Sequence, residues 1–373
     1  MHLSLRSSLL VVALPAALVT STACSGATDT ELDDSAPPST GAVTFPNDPA
    51  ASQPAAPSPG GASTPSMAPS DPGKGDSDPS NDPNATPDTV LCDTGLALAS
   101  TDPFDAAKAI GLCKKASPGS TGSGVIEAKL TKPDGSPIAS PLSWGLLPQL
   151  GTQKAPSGSV MLALSTGTAR GPNDPGFQSP IDGFDKGYTH STPPGQPKVS
   201  SVCPSSEPVP SEAHDGVALV LKIRVPQAAK SMSFTHQLFT ADTGDSVCSQ
   251  YNDAFVVLMD PKPAGTNGNI VVDNLGDPVG INSASLLRAC TPGTYKGISF
   301  ACPLGTSSLA GTGFDGKSAT GWLRTTVPVT AGSEITLRFA VWDSGDGILD
   351  TTVLIDELAF STQAASGAHT VPR

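Results

Sequence analysis

The alternation of Ile335, Leu337, Phe339 and Val341 with Thr336 and Arg338 constrains this chain more than any other feature. Successive side chains of a strand point to opposite faces, so this run has one apolar face and one wet face. The chain holds 38 Gly and 38 Pro in 373 residues, and they cut its apolar runs to strand length. Further strands are expected at 125–130, 160–164, 217–225, 254–259, 270–272, 322–327 and 353–360, and at 232–239 with a bulge. In 217–225, Lys222 and Arg224 mark the wet face opposite Leu221, Ile223 and Val225. One short helix is expected after Asp102, which can cap it; Pro103 suits its first turn, and Phe104, Ala107 and Ile110 share a face. Many strands and one N-terminal helix predict a mainly β fold, an antiparallel β-sandwich of jelly-roll-like type over 89–362, with a flexible tail at 363–373. The stretch 167–211 lacks strand periodicity, and a loop of that length calls for a function.

The cysteines place this sandwich. An apolar stretch at 9–19, behind Arg6, has the layout of a secretory signal over 1–23. It is too short to span about 30 Å of hydrocarbon as a helix. Ser21-Thr22-Ala23-Cys24 resembles a bacterial lipoprotein box, in which cleavage exposes Cys24 for acylation, palmitate included. Cys24 then anchors the chain in a lipid bilayer, expected to be the cell outer membrane; a secreted or periplasmic protein is the alternative. Removing Cys24 leaves Cys92, Cys113, Cys203, Cys248, Cys290 and Cys302, an even set in an exported chain and hence a disulfide framework. Short loop closure favours Cys92–Cys113 and Cys290–Cys302, leaving Cys203–Cys248. No CxxC pair occurs, which argues against zinc.

Residues 24–88 read as a disordered stalk rich in Pro, Ser and Asp. From Ser25 to Asp88 there are 13 prolines, and ten acids face one base. Such a stretch buries too little apolar surface to offset its ordering entropy, and its reach as a flexible coil is roughly 40–50 Å. Residues 89–373 carry 24 acids and 19 bases. With no basic stripe to neutralise phosphates, a nucleic-acid partner is excluded.

Catalytic motifs fail on context. Asp93-Thr94-Gly95 and Asp242-Thr243-Gly244 have the form of the paired aspartic-protease loops, but the first leads to a helix and the second lies in a polar turn. There is no Gly-x-Ser-x-Gly elbow, and His214-Asp215-Gly216 reads as a turn entering a strand. The acidic loop 343–350 is the strongest candidate site. Asp343, Asp346 and Asp350 supply hard oxygens, Asp356 follows, and Asn252 or Asp253 can join from a neighbouring loop, a set suited to calcium. A solvated hairpin turn is the competing reading. Trp342, at the strand end beside Asp343, is a possible ligand contact, as are Tyr188 and Phe184 in the long loop.

Several motifs carry a family resemblance. Tyr251-Asn252-Asp253-Ala254-Phe255-Val256-Val257-Leu258, after the aromatic run 233–239, is similar to the core of choice-of-anchor L domains. Gly268-Asn269-Ile270, Val279-Gly280-Ile281-Asn282, Gly321-Trp322-Leu323 and the run from Val341 to Gly347 agree with it, as does Asp350-Thr351-Thr352-Val353-Leu354-Ile355-Asp356. The opening segment 92–113, Met161 to Gly167 and Gly183 to Tyr188 resemble the myxobacterial lipoprotein-like members. The resemblance spans 90–360 and implies a surface protein with no established catalysis. The expectation is therefore a non-catalytic surface or envelope binding or adhesion lipoprotein, calcium-stabilised, with an extracellular glycan or protein as partner. A secreted, membrane-tethered hydrolase is the alternative.

Overall fold

The computed structural model describes residues 91–203, 212–242 and 244–373. The signal segment, Cys24 and the stalk expectation lie outside these residues. Along the chain run α1 (Pro103–Ala109), β1 (Gly124–Thr131), β2 (Trp144–Leu147), β3 (Gln149–Leu150), β4 (Gln153–Lys154), β5 (Met161–Ser165) and β6 (Thr189–Ser191). Then come β7 (Glu212–Arg224), β8 (Ser231–Thr240), β9 (Ala254–Asp260), β10 (Gly293–Tyr295) and β11 (Ile298–Phe300). The last are β12 (Ser318–Ala319), β13 (Leu323–Pro328), β14 (Glu334–Ser344), β15 (Thr351–Ser361) and β16 (His369–Pro372).

Two antiparallel sheets make the sandwich. One has the order β1-β7-β14-β9, with β6 on the edge of β7; the other runs β16-β13-β8-β15-β5-β2, with β12 on β8. Ile335, Leu337, Phe339 and Val341 of β14 meet Phe234 and Leu238 of β8 and Val353 and Ile355 of β15 in one core. Phe234 and Phe339 pack edge to face across it, ring centroids 5.3 Å apart. Truncating either ring to Ala costs roughly 3–5 kcal/mol by lost burial and the cavity left behind. The second sheet is buried on its other face too, where Phe239, Leu354, Met161 and Ala163 pack under Leu309 and Phe314. All ten residues of β8 are buried for this reason.

The helix forms as its sequence dictates. Asp102 accepts a hydrogen bond from the Phe104 amide at 2.9 Å, Pro103 opens the first turn, and Phe104, Ala106, Ala107 and Ala109 are buried. The Cys92–Cys113 disulfide brackets it, and the Leu358 amide donates to the Ile110 carbonyl, tying the helix end to β15. Disulfides Cys203–Cys248 and Cys290–Cys302 lie together in a small satellite core with Val247, Ile281, Leu287 and Phe300.

Three expectations need correction. The tail at 363–373 supplies β16, which pairs with β13 from Leu323↔Pro372 to Thr326↔His369. The apolar run 270–272 makes only isolated bridges, Leu258↔Asn269 and Val272↔Pro278 bracketing it, so burial rather than pairing explains its hydrophobicity. The bulge expected in 232–239 sits instead on the opposing strand, where two steps of β8 face three of β15 between Asp356 and Ala359. Glu357 takes up the extra residue with a left-handed φ of 53°.

Candidate functional site

The inward rows of the core end in carboxyls and hydroxyls. Along β14 the inward residues reach Val341, and the next position of that parity is Asp343. In β7 the inward row Ile223, Leu221, Leu219, Val217 ends at a bulge, where three steps of β7 face two of β14 and Asp215 takes a left-handed φ of 53°, and in β9 the row Met259, Val257, Phe255 leads to Asp253. From the other sheet, Leu162 and Leu164 lead to Thr166, Ile355 and Val353 lead to Thr351, and Leu238 leads through Thr240 to Asp242. One end of the sandwich interior is thus a polar layer built by strand alternation. Asp350, just before β15, completes it.

The layer is sealed. Asp215 and Asp343 are 0 % exposed, Asp350 1 % and Asp242 3 %. It also ties the two sheets together, because the Thr351 hydroxyl donates to Asp253 Oδ2 at 2.5 Å. Asp253 Oδ1 accepts the Ser344 amide at 3.3 Å, and Thr166 Oγ1 lies 3.5 Å from Asp350 Oδ1. Asp215 is fully used: Oδ2 accepts the Lys186 amide at 2.6 Å and Oδ1 the Tyr188 amide at 3.2 Å. Gly167 lies directly beneath Asp350, and a Cβ there would stand 2.0 Å from its Oδ2. Only glycine leaves room for that carboxyl.

Charge is not balanced in this layer. Lys186 is its one ammonium among the described residues, and its Nζ donates to Ser143 Oγ at 2.9 Å and to the carbonyls of Ser165 at 3.1 Å and Gly167 at 3.0 Å. An ammonium has three N–H groups, so none is left for a carboxylate. Both oxygens of Asp343, Oδ2 of Asp350 and Oδ2 of Asp242 are buried with no hydrogen-bond partner. Burial therefore dominates their titration. Desolvation, then repulsion from Asp253 and Asp350, pushes Asp343 well up. Desolvation raises Asp253 to about 7 and Asp350 to about 8, and it lifts Asp242 strongly, with Asp253 adding to the effect. The same desolvation lowers Lys186 to about 8 against the pull of Asp215, Asp343 and Asp350.

By donor type these carboxyls and hydroxyls are the kind of ligand calcium takes. Calcium takes six to eight oxygen ligands in a flexible shell, and Asp343, Asp350 and Asp253, with the hydroxyls of Thr166 and Thr351, offer that donor set. Among the described residues no three acidic, histidine or cysteine side chains already converge as a closed metal-binding group. Charge neutralisation would have to draw them in.

The structure gathers Asp253, Asp343 and Asp350 and sets Asp346 at the rim, half-buried, with its Oδ1 accepting the Ile348 amide at 3.2 Å. Asn252 Oδ1 is buried beside Gly280 with no partner. Asp356 does not join them. It has the outward parity of β15, next to inward Ile355, and its Oδ2 accepts the Ser157 amide at 2.9 Å. Asp93 holds the same loop through the Ser159 and Val160 amides, so this pair of carboxyls shapes 157–160. The two Asp-Thr-Gly motifs accordingly sit apart, Asp93 at that loop and Asp242 in the polar layer.

The aromatic contacts need revision. Trp342 is 0 % exposed, its ring packed among Ala213, Ala218, Ala254, Val256 and Ala340, so it cannot stack on a ligand. Tyr188 is half-buried, and its hydroxyl donates to the Gly216 carbonyl at 3.1 Å. Phe184 is half-buried in the same loop. Lys186, Asp215, Asp242, Thr166 and Gly167 were not recognised as site residues from sequence. The usable signal was parity, since each polar member but Lys186 lies two residues beyond an inward apolar or hydroxyl position.

No family model and no curated protein matches the chain. Among solved structures, a crystal structure of the K2 cleaved adhesin domain of Lys-gingipain aligns at 14 % identity over 63 % of this chain and 89 % of that one, with a TM-score of 0.27. That score is too low to carry an argument about fold or function.

Proposed function

We propose that this chain is a non-catalytic binding module of the cell surface or envelope, tethered through acylated Cys24 and with its loop end held by calcium. It takes an extracellular glycan or protein as partner, and the motif resemblance to choice-of-anchor L domains supports the same reading. The observation that carries it is the sealed, under-neutralised carboxyl layer, above all Asp343, fully buried beside Asp253 and Asp350. A hydrolase needs its acid and base within reach of substrate, whereas Asp215 and Asp343 are closed off. A cation there serves structure: it locks the starts of β9 and β15 to the end of β14, and so fixes the loops that a partner meets. Glycan and protein-partner screens run in calcium and in chelator test this. Binding that vanishes in chelator and returns with calcium is expected. Substrate turnover abolished by one pocket substitution would overturn the non-catalytic reading. Separately, Cys24→Ala should move the protein from the detergent phase to the soluble fraction; unchanged partitioning would remove the tether.

A further inference from the structure

A cavity of about 160 Å³ opens beside the satellite core, and none of the carboxyl layer's acids is among its lining residues. Its floor is Val247, Ile281, Leu287 and Phe300, each at most 5 % exposed, and Cys290 of the Cys290–Cys302 disulfide forms part of the wall. Tyr295 also lines it, in edge contact with Phe300, with centroids 5.8 Å apart. The backbone is cut to seat that ring: a Cβ on Gly244 would lie 1.9 Å from the Tyr295 ring, and one on Gly293 would lie 2.9 Å from its hydroxyl. Of its polar lining, Thr291 is exposed and Lys317 half-buried, which sets them at the mouth, while Ser318 is buried. Neither the Lys317 ammonium nor the Tyr295 hydroxyl has a hydrogen-bond partner among the described residues.

Two properties define what would fit. The volume matches that of a dry cavity of about 150 Å³ known to admit a benzene ring. An unpaired ammonium and a free phenolic hydroxyl at the mouth call for an anionic acceptor on that ring, since an apolar body with a few placed polar groups is how small-molecule sites set orientation. From the apolar lining, the aromatic pair and the nearby ammonium, we propose that this cavity binds a small single-ring aromatic acid, with the ring packed against Leu287, Ile281 and the Tyr295–Phe300 pair and the carboxylate on Lys317. The proposal rests on the lining residues alone and assumes neither calcium nor the tether.

Phenylacetate, neutral phenylacetamide and acetate, titrated at millimolar levels into the soluble Cys24→Ala chain and followed by calorimetry and by NMR of the Tyr295 ring, provide the test. Phenylacetate should bind and shift the ring signals, phenylacetamide should bind more weakly, and acetate should not bind. Lys317→Met, a substitution at the mouth, should weaken phenylacetate about tenfold and leave phenylacetamide unchanged. Ile281→Phe, which fills the floor, should abolish binding of both ring compounds. No binding of phenylacetate, equal binding of acetate, or a Lys317→Met variant that keeps full preference for the acid would each overturn the proposal.

Discussion

Without a bound cation the carboxyl layer should be a pH-dependent liability, and Asp350 makes the size of the effect calculable. Burial raises its folded-state value from 3.8 to about 8. Between those values the folded protein holds a proton that the unfolded chain has released, so stability is present at low pH and is lost as pH rises through the window. The slope is about 1.4 kcal/mol per pH unit for one group, which accumulates to about 2 kcal/mol between pH 6.5 and 8. That interval avoids two opposing groups. Burial drives His236 down to about 3, so it destabilises only as pH falls below the ordinary 6.5. Lys186, lowered to about 8, carries a constant cost below that value, and the cost is relieved only as pH rises above it. Asp253 and Asp356, each raised to about 7 chiefly by desolvation, add to the slope with the same sign. The quantity to read is therefore the difference between wild type and Asp350→Asn. In chelator, wild type should lose roughly 4–8 °C more than the variant between pH 6.5 and 8, at about 2–4 °C per kcal/mol for a domain of this size. With saturating calcium the wild-type loss should shrink, because the metal holds the carboxylates in their charged form. Differential scanning calorimetry on the soluble Cys24→Ala chain gives both curves. A wild-type transition that stays flat or rises with pH in chelator, in parallel with Asp350→Asn, would refute the reasoning.

Other substitutions test single contacts. Gly167→Ala places a Cβ 2.0 Å from Asp350 Oδ2, so it should displace the carboxyl, lower Tm and blunt the calcium response together. Thr351→Val deletes the hydroxyl that donates to Asp253, leaving a buried acceptor short of a partner, and should cost about 1–3 kcal/mol in a denaturant titration. Deleting the residues after 362 removes β16, strips the partner from the β13 edge, and should lower stability while exposing that edge to self-association detectable by light scattering. Asp356→Asn should change Tm through the 157–160 loop and leave calcium affinity unaltered.

What the sequence revealed follows from which signals are local. Strand alternation in 335–341, the Asp102 cap with Pro103, and short loop closure for two of the disulfides all act over a few residues, and each has its counterpart in the fold. Burial on the second face of a sheet is not local. Trp342 reads as a strand-end aromatic, yet Ala213, Ala218 and Ala254 arrive from other strands to enclose it. The same limit governed the site. Asp343, Asp350 and Asp253 were legible because acids cluster in loops that flank strands, whereas Lys186 comes from a loop without periodicity and reaches the layer only through the tertiary fold. Asp356 is distant from the site although it is near Asp350 in sequence: six residues along a strand at about 3.3 Å per residue put it roughly 20 Å away, and within β15 it faces opposite to inward Ile355.

Calorimetric titration of calcium into the oxidised, metal-stripped Cys24→Ala chain tests the carboxyl layer most directly. Saturable binding that is lost in Asp343→Asn and kept in Asp356→Asn is the expected result. No heat of binding at millimolar calcium, or undiminished binding by Asp343→Asn, would contradict the assignment of this layer as a cation site.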